Sequence, residues 1–104
     1  MNSKLANGNP WNNTATHATA ATFTVAAAAG KTHYCGAVQA SSDKSGAILT
    51  ITDGSTTLFQ VQVNAGNFQV KFDIPIPSGV GNGLVFAIDG TSACKVNAQG
   101  VTIG

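Results

Sequence analysis

The chain has 104 residues, enough for one compact core and too few for two. Its charged residues are five Lys and four Asp, without Arg or Glu, and the formal charge of +1 offers no field for holding a polyanion. Apolar residues at 43% and charged residues at 9% exclude a highly charged disordered chain, and no run is long enough to span a membrane as a helix.

Residues 1–18 are rich in Asn, Thr, Ala and Gly and show no sustained period, so they are expected to form an extended arm ahead of a β-sandwich over residues 19–104. The opening Met1-Asn2-Ser3-Lys4-Leu5 stretch has no apolar core of a secretory signal, and no leader is expected. Thr22, Thr24 and Val25 flank Phe23 and predict a strand, whereas Ala26-Ala27-Ala28-Ala29 suits a strand or a helical turn equally. His33 to Ala40 reads as the next strand, with Tyr34 and Val38 on one side.

In Ala47 to Thr52 the apolar residues fall at 47, 49 and 51, and Asp53-Gly54 closes the segment as a hairpin turn. Thr57, Phe59, Val61 and Val63 alternate with Leu58, Gln60, Gln62 and Asn64, and Ala65-Gly66-Asn67 is expected to turn the chain. Phe68, Val70, Phe72 and Ile74 then alternate with Gln69, Lys71 and Asp73 in the strictest period-2 run of the chain. Pro75 and Pro77 lack the N–H of a ladder, so this strand is expected to end by residue 74 and pass into the Gly-rich loop 78–83. Leu84, Phe86 and Ile88 restart the alternation, Asp89-Gly90 stops it, and Cys94, Val96 and Ala98 share a face before a bulge expected at Gly100. About seven to eight short strands at this spacing predict an all-β, antiparallel sandwich of jelly-roll-like form. Trp11 precedes both cysteines and Ser92 stands where a tyrosine corner would need Tyr, which removes the immunoglobulin hallmarks.

Catalytic chemistry finds little support. Glycosidase or aspartyl-protease work needs two carboxylates in different environments. Asp53 and Asp89 precede glycine and read as turn formers accepting local amides, Asp43 lies in a polar loop, and Asp73 should face solvent. No nucleophile elbow or cysteine-protease signature accompanies His17, His33, Cys35 and Cys94. His33 and Cys35 fall on one strand face and make at most half a metal site, so no metal or cofactor is implied. The two cysteines are read as buried free thiols. Gly79 to Gly83 precedes a strand where phosphate cradling needs a helix N-terminus, and five scattered lysines do not make a nucleic-acid footprint.

The arm supplies the candidate partner-binding residues Pro10, Trp11, Asn12 and His17. Trp11 either folds back over its own sandwich or enters a neighbouring subunit's groove, because Trp is favoured at interface hot spots. A charge-poor β domain with few guarded edges should associate with other chains.

Three segments, Leu49-Thr50-Ile51-Thr52-Asp53-Gly54, Phe72-Asp73-Ile74-Pro75 with the Gly-rich loop, and Cys94-Lys95-Val96-Asn97-Ala98-Gln99-Gly100-Val101-Thr102, resemble small virion proteins of tailed bacteriophages over residues 31–104. The resemblance implies a non-enzymatic protein that decorates or cements the capsid. It would bind the major capsid protein and neighbouring copies as a homo-oligomer, often a trimer, on the virion surface after synthesis in the host cytoplasm. The alternative is a carbohydrate- or receptor-binding sandwich of a tail or fibre, with Trp11 or Tyr34 stacking on a sugar.

Overall fold

The computed structural model describes residues 8–54, 56–63 and 66–104. Eight strands run in chain order: β1 (Asn9–His17), β2 (Ala20–Val25), β3 (Thr32–Ser42), β4 (Ala47–Thr52), β5 (Thr57–Val63), β6 (Gly66–Pro77), β7 (Leu84–Asp89) and β8 (Cys94–Ile103). They form two antiparallel sheets, β1-β8-β3-β6 and β2-β7-β4-β5. The partners nest as β1 with β8, β2 with β7, β3 with β6 and β4 with β5, so the chain is one long hairpin rolled into a jelly roll.

The two inner faces divide the packing unequally. The first sheet contributes small side chains, among them Cys35, Ala40, Cys94, Val96 and Ala98, and the second contributes Leu49, Ile51, Leu84, Phe86 and Ile88. Small residues opposite large ones let the layers interdigitate at native density. Aromatic rings fill the two open sides of the sandwich. Trp11 of β1 lies 5.9 Å from Phe86, which stacks at 4.7 Å on Phe23 of β2. On the opposite side, Phe59 of β5 meets Phe72 of β6 edge-on at 5.2 Å and Phe68 at 6.3 Å.

Several expectations change in three dimensions. Residues 9–17, expected within a free arm, form β1 and pair with β8 from Asn9↔Thr102 to His17↔Cys94, while residues 1–7 lie outside those described. The strand alternates with period two in burial, Trp11, Asn13 and Ala15 being its more buried positions, a signal masked because Asn13 is polar. The alanine run is neither strand nor helix: β2 ends at Val25, and the chain turns through Gly30, whose φ is +72°, with the Lys31 amide bonded to the Ala28 carbonyl.

β6 continues to Pro77 instead of ending at residue 74. It is an edge strand, so a proline there forfeits no bond on its outer side, and residues 72–75 have no register partner on β3. Gly66 and Asn67, expected in a turn, open this strand; Asn64 and Ala65 lie outside the described residues. The bulge falls in β3 between Cys35 and Ala37 rather than at Gly100. It reverses the alternation, so Val38 points inward although Tyr34 points outward, and the two do not share a side. Gly100 answers to a different constraint: a Cβ there would lie 1.9 Å from the Tyr34 carbonyl oxygen and 2.6 Å from Trp11 Cζ2.

Candidate functional site

β1 carries the four candidate partner-binding residues and places them in different settings. Pro10 is exposed opposite Val101. Trp11 points inward, its ring over the bare Cα of Gly100 and against Phe86, and its buried indole Nε1 meets no acceptor among the described residues. Asn12 faces outward, where its Oδ1 accepts from Asn97 Nδ2 at 2.8 Å. His17 closes the corner to β2, its Nδ1 accepting from the Thr19 and Ala20 amides at 3.1 and 3.3 Å. In the single chain Trp11 folds back over its own sandwich, partly buried against Phe86.

The polar residues with chemical potential are occupied in bracing. His33 is buried, and its Nδ1 and Nε2 lie 2.6 Å from Thr102 Oγ1 and 2.8 Å from the Ala26 carbonyl. Its backbone amide donates to Ser78 Oγ at 3.0 Å, and the Ser78 amide donates back to the His33 carbonyl, which ties the Gly-rich loop to β3. Cys35 and Cys94 are both buried free thiols. Burial pushes the Cys35 thiol up to about 11, which removes the thiolate a nucleophile would need. Cys94 Sγ instead donates to the His17 carbonyl at 3.3 Å.

The carboxylates clamp loops distant in sequence, not the local turns expected of Asp53 and Asp89. Asp43 accepts from the Thr91 amide at 2.8 Å and from the Ser92 amide and hydroxyl; the Ser92 hydroxyl first, then these amides, hold its carboxyl well below the usual range. Asp53 Oδ2 accepts from the Gly79 amide at 2.8 Å. Asp89 is paired with Lys44 and accepts from the Ile48 amide at 3.1 Å, contacts that lower its pKa in that order. Asp73 stands exposed in the unpartnered stretch of β6, as expected. No cluster of three metal-ligating side chains occurs among the described residues.

What reasoning along the sequence missed is the outer face of the β1-β8-β3-β6 sheet. Register aligns its outward side chains in rows across all four strands. Pro10, Val101, Tyr34 and Pro77 make an apolar row with one aromatic ring. Asn12, Gln99, Ala37 and Lys71 follow, then Thr14, Asn97, Gln39 and Gln69, then Thr16, Lys95, Ser41 and Asn67. Asn97 Nδ2 fixes the middle of this face by donating to Asn12 Oδ1, the Asn13 carbonyl and Thr14 Oγ1. A trough of about 530 Å³ runs beside the β3 bulge, where Gly36 and Gly100 leave room above Trp11. A second of about 280 Å³ lies among Gln39, Gln69 and Asn97. The signal was the polar side chain at alternate positions of β6 (Asn67, Gln69, Lys71) and β8 (Lys95, Asn97, Gln99), legible as a solvent face yet unassignable to one surface until the strands are paired.

No family model matches the chain, and no curated protein does. Among solved structures it is similar to the Drosophila NLP core, studied for pentamer formation and histone binding, at 13% identity over 91% of this chain and 98% of that one, with a TM-score of 0.52. It is also similar to Aeromonas hydrophila PliG, a periplasmic inhibitor of g-type lysozyme, at 11% identity over 92% and 89% with a TM-score of 0.48. A carbohydrate-binding module CBM36 in complex with calcium and xylotriose aligns at 13% identity over 91% and 93%, with a TM-score of 0.45. At such identities only the β-sandwich architecture is shared.

Proposed function

We propose that this chain is a non-enzymatic structural protein that decorates or cements a bacteriophage capsid, binding the major capsid protein lattice and neighbouring copies of itself on the virion surface. The observation that carries the reading is the chemistry of the sheet edges. Of the four edge strands, β2 and β5 contain no Lys, Asp or Pro, and β1 contains no Lys or Asp and carries Pro10 near its start. Edge strands of monomeric proteins are ordinarily blunted by charge, proline or a covering segment, and unguarded ones pair with other chains. The use of Asp43, Asp53 and Asp89 as loop clamps and of His33 as a buried brace also favours a scaffold over an enzyme. Repetition on a symmetric lattice multiplies weak edge contacts into firm attachment.

Within this reading, Pro10 and Asn12 on the outside of β1 are the partner-facing residues, while Trp11 and His17 hold that strand in place. The test is the native mass of the full chain by light scattering on a sizing column, with lysine placed at Thr14, Thr24 or Gln60, one edge strand at a time. A trimer that at least one of these lysines dissociates is the expected result. A monomeric native chain that also fails to attach to undecorated shells overturns the proposal.

A further inference from the structure

We infer that the outer face of the β1-β8-β3-β6 sheet is a binding surface for a sparsely acidic polysaccharide, one carrying isolated carboxylates among neutral sugars. This goes beyond capsid decoration; the surface is distinct from the outer edges of β2 and β5 and shares only Pro10 and Asn12 with the partner-facing side of β1.

Hydrogen-bonding capacity is the first ground. The three rows that follow the apolar one present the amides of Asn12, Gln99, Asn97, Gln39, Gln69 and Asn67, with hydroxyls between them. Each amide offers two donors and an acceptor, the combination that vicinal sugar hydroxyls need because each hydroxyl both gives and takes. Asn97 spends its Nδ2 protons on Asn12, Asn13 and Thr14, which leaves its Oδ1 and the Asn12 Nδ2 donors held in place. Such prior bracing lowers the ordering entropy lost on binding. The neighbouring row adds Tyr34 between Val101 and Pro77, a ring on which the C–H face of a sugar can rest.

Charge is the second ground. The linings of the two troughs include Lys71 and Lys95 and no carboxylate. Asp73 follows Lys71 in the unpartnered stretch of β6 and lines neither trough, and Asp43, at the rim beyond Lys95, is taken up by Thr91 and Ser92. Lys71 and Lys95 lie two strands apart and four residues along, about 16 Å from each other by sheet spacings. Two cations at that distance cannot serve a chain with a phosphate on every unit, and the total charge of +1 offers no such field. They suit a heteropolysaccharide whose carboxylates recur at long intervals, with the amides reading the neutral sugars between.

Gellan, whose repeat carries a single uronate, is a suitable probe, with carboxyl-reduced gellan as its neutral counterpart. Titration calorimetry of the full chain should show binding to gellan. Affinity should fall at least about tenfold for the reduced polymer, for K71Q/K95Q and for Q39A/Q69A, all at exposed positions whose loss leaves the far-UV spectrum unchanged. No binding to gellan, or equal binding to the reduced polymer, overturns the inference. Attachment to shells is read separately, so a protein that decorates capsids but ignores gellan contradicts only this surface.

Discussion

Replacing Trp11 separates an anchoring role from a docking one. Complete loss of a buried Trp side chain costs about 3–5 kcal/mol, and Trp11 is only partly buried, so the low end applies. Against this stands the indole N–H, buried without an acceptor among the described residues, whose removal returns about 1 kcal/mol. Trp11→Ala should therefore destabilise by about 2 kcal/mol net, a fall in Tm of about 8–16 °C for a domain of this size. Trp11→Phe keeps a ring against Phe86 and over Gly100 and discards the unsatisfied donor, so it should stay within about 1 kcal/mol of the parent. Urea denaturation followed by far-UV circular dichroism measures both, since Trp11 is the single tryptophan and its fluorescence disappears in each variant. A Trp11→Ala protein within about 0.5 kcal/mol of the parent would refute the inward seating of the ring and restore the docking role.

Other outcomes follow from the same contacts. Gly100→Ala should cost about 1–3 kcal/mol by thermal unfolding, because the new methyl group meets the Tyr34 carbonyl and the Trp11 ring; an unchanged Tm would contradict that packing. Asp43 and Asp89 have folded pKa values below the ordinary value near 3.8, so their stabilisation is complete above that value and is lost as pH falls through the folded ones. Stability should accordingly decline below about pH 4. Asp43→Asn should flatten that acid limb, and a parallel profile would discount the Ser92 clamp. Cys35 and Cys94 should resist Ellman's reagent at pH 8 and react fully in denaturant, whereas rapid native labelling would contradict their burial. His33→Ala orphans the Ala26 carbonyl and the Thr102 hydroxyl and should cost at least about 1–3 kcal/mol in urea.

The interior of the fold was legible where period two coincided with apolar character, with Ile74 the exception: it continues the run of Phe68, Val70 and Phe72 yet is 85% exposed in the unpartnered stretch of β6. Ala47, Leu49 and Ile51, then Leu84, Phe86 and Ile88, then Cys94, Val96 and Ala98, all lie inward as their spacing predicts. Reading failed where a strand's identity depends on its neighbours. β1 is too polar to announce itself and becomes a strand because β8 supplies the ladder and Gly100 the seat for Trp11. Pro75 and Pro77 argue against a central strand but not against an edge, and edge position is a property of topology. The β3 bulge beside Gly36 had no local signature that distinguished it from Gly100, so the facing of Tyr34 stayed hidden. The amide face was present as alternation in single strands, but its rows exist only once four strands separated in sequence lie side by side.

The most direct test of the capsid proposal is co-sedimentation of the full chain with undecorated shells of tailed bacteriophages. The account predicts saturable attachment with a fixed number of copies per capsid lattice unit, weakened by a lysine on at least one charge-free edge strand. Protein that stays in the supernatant at saturating concentration would contradict it.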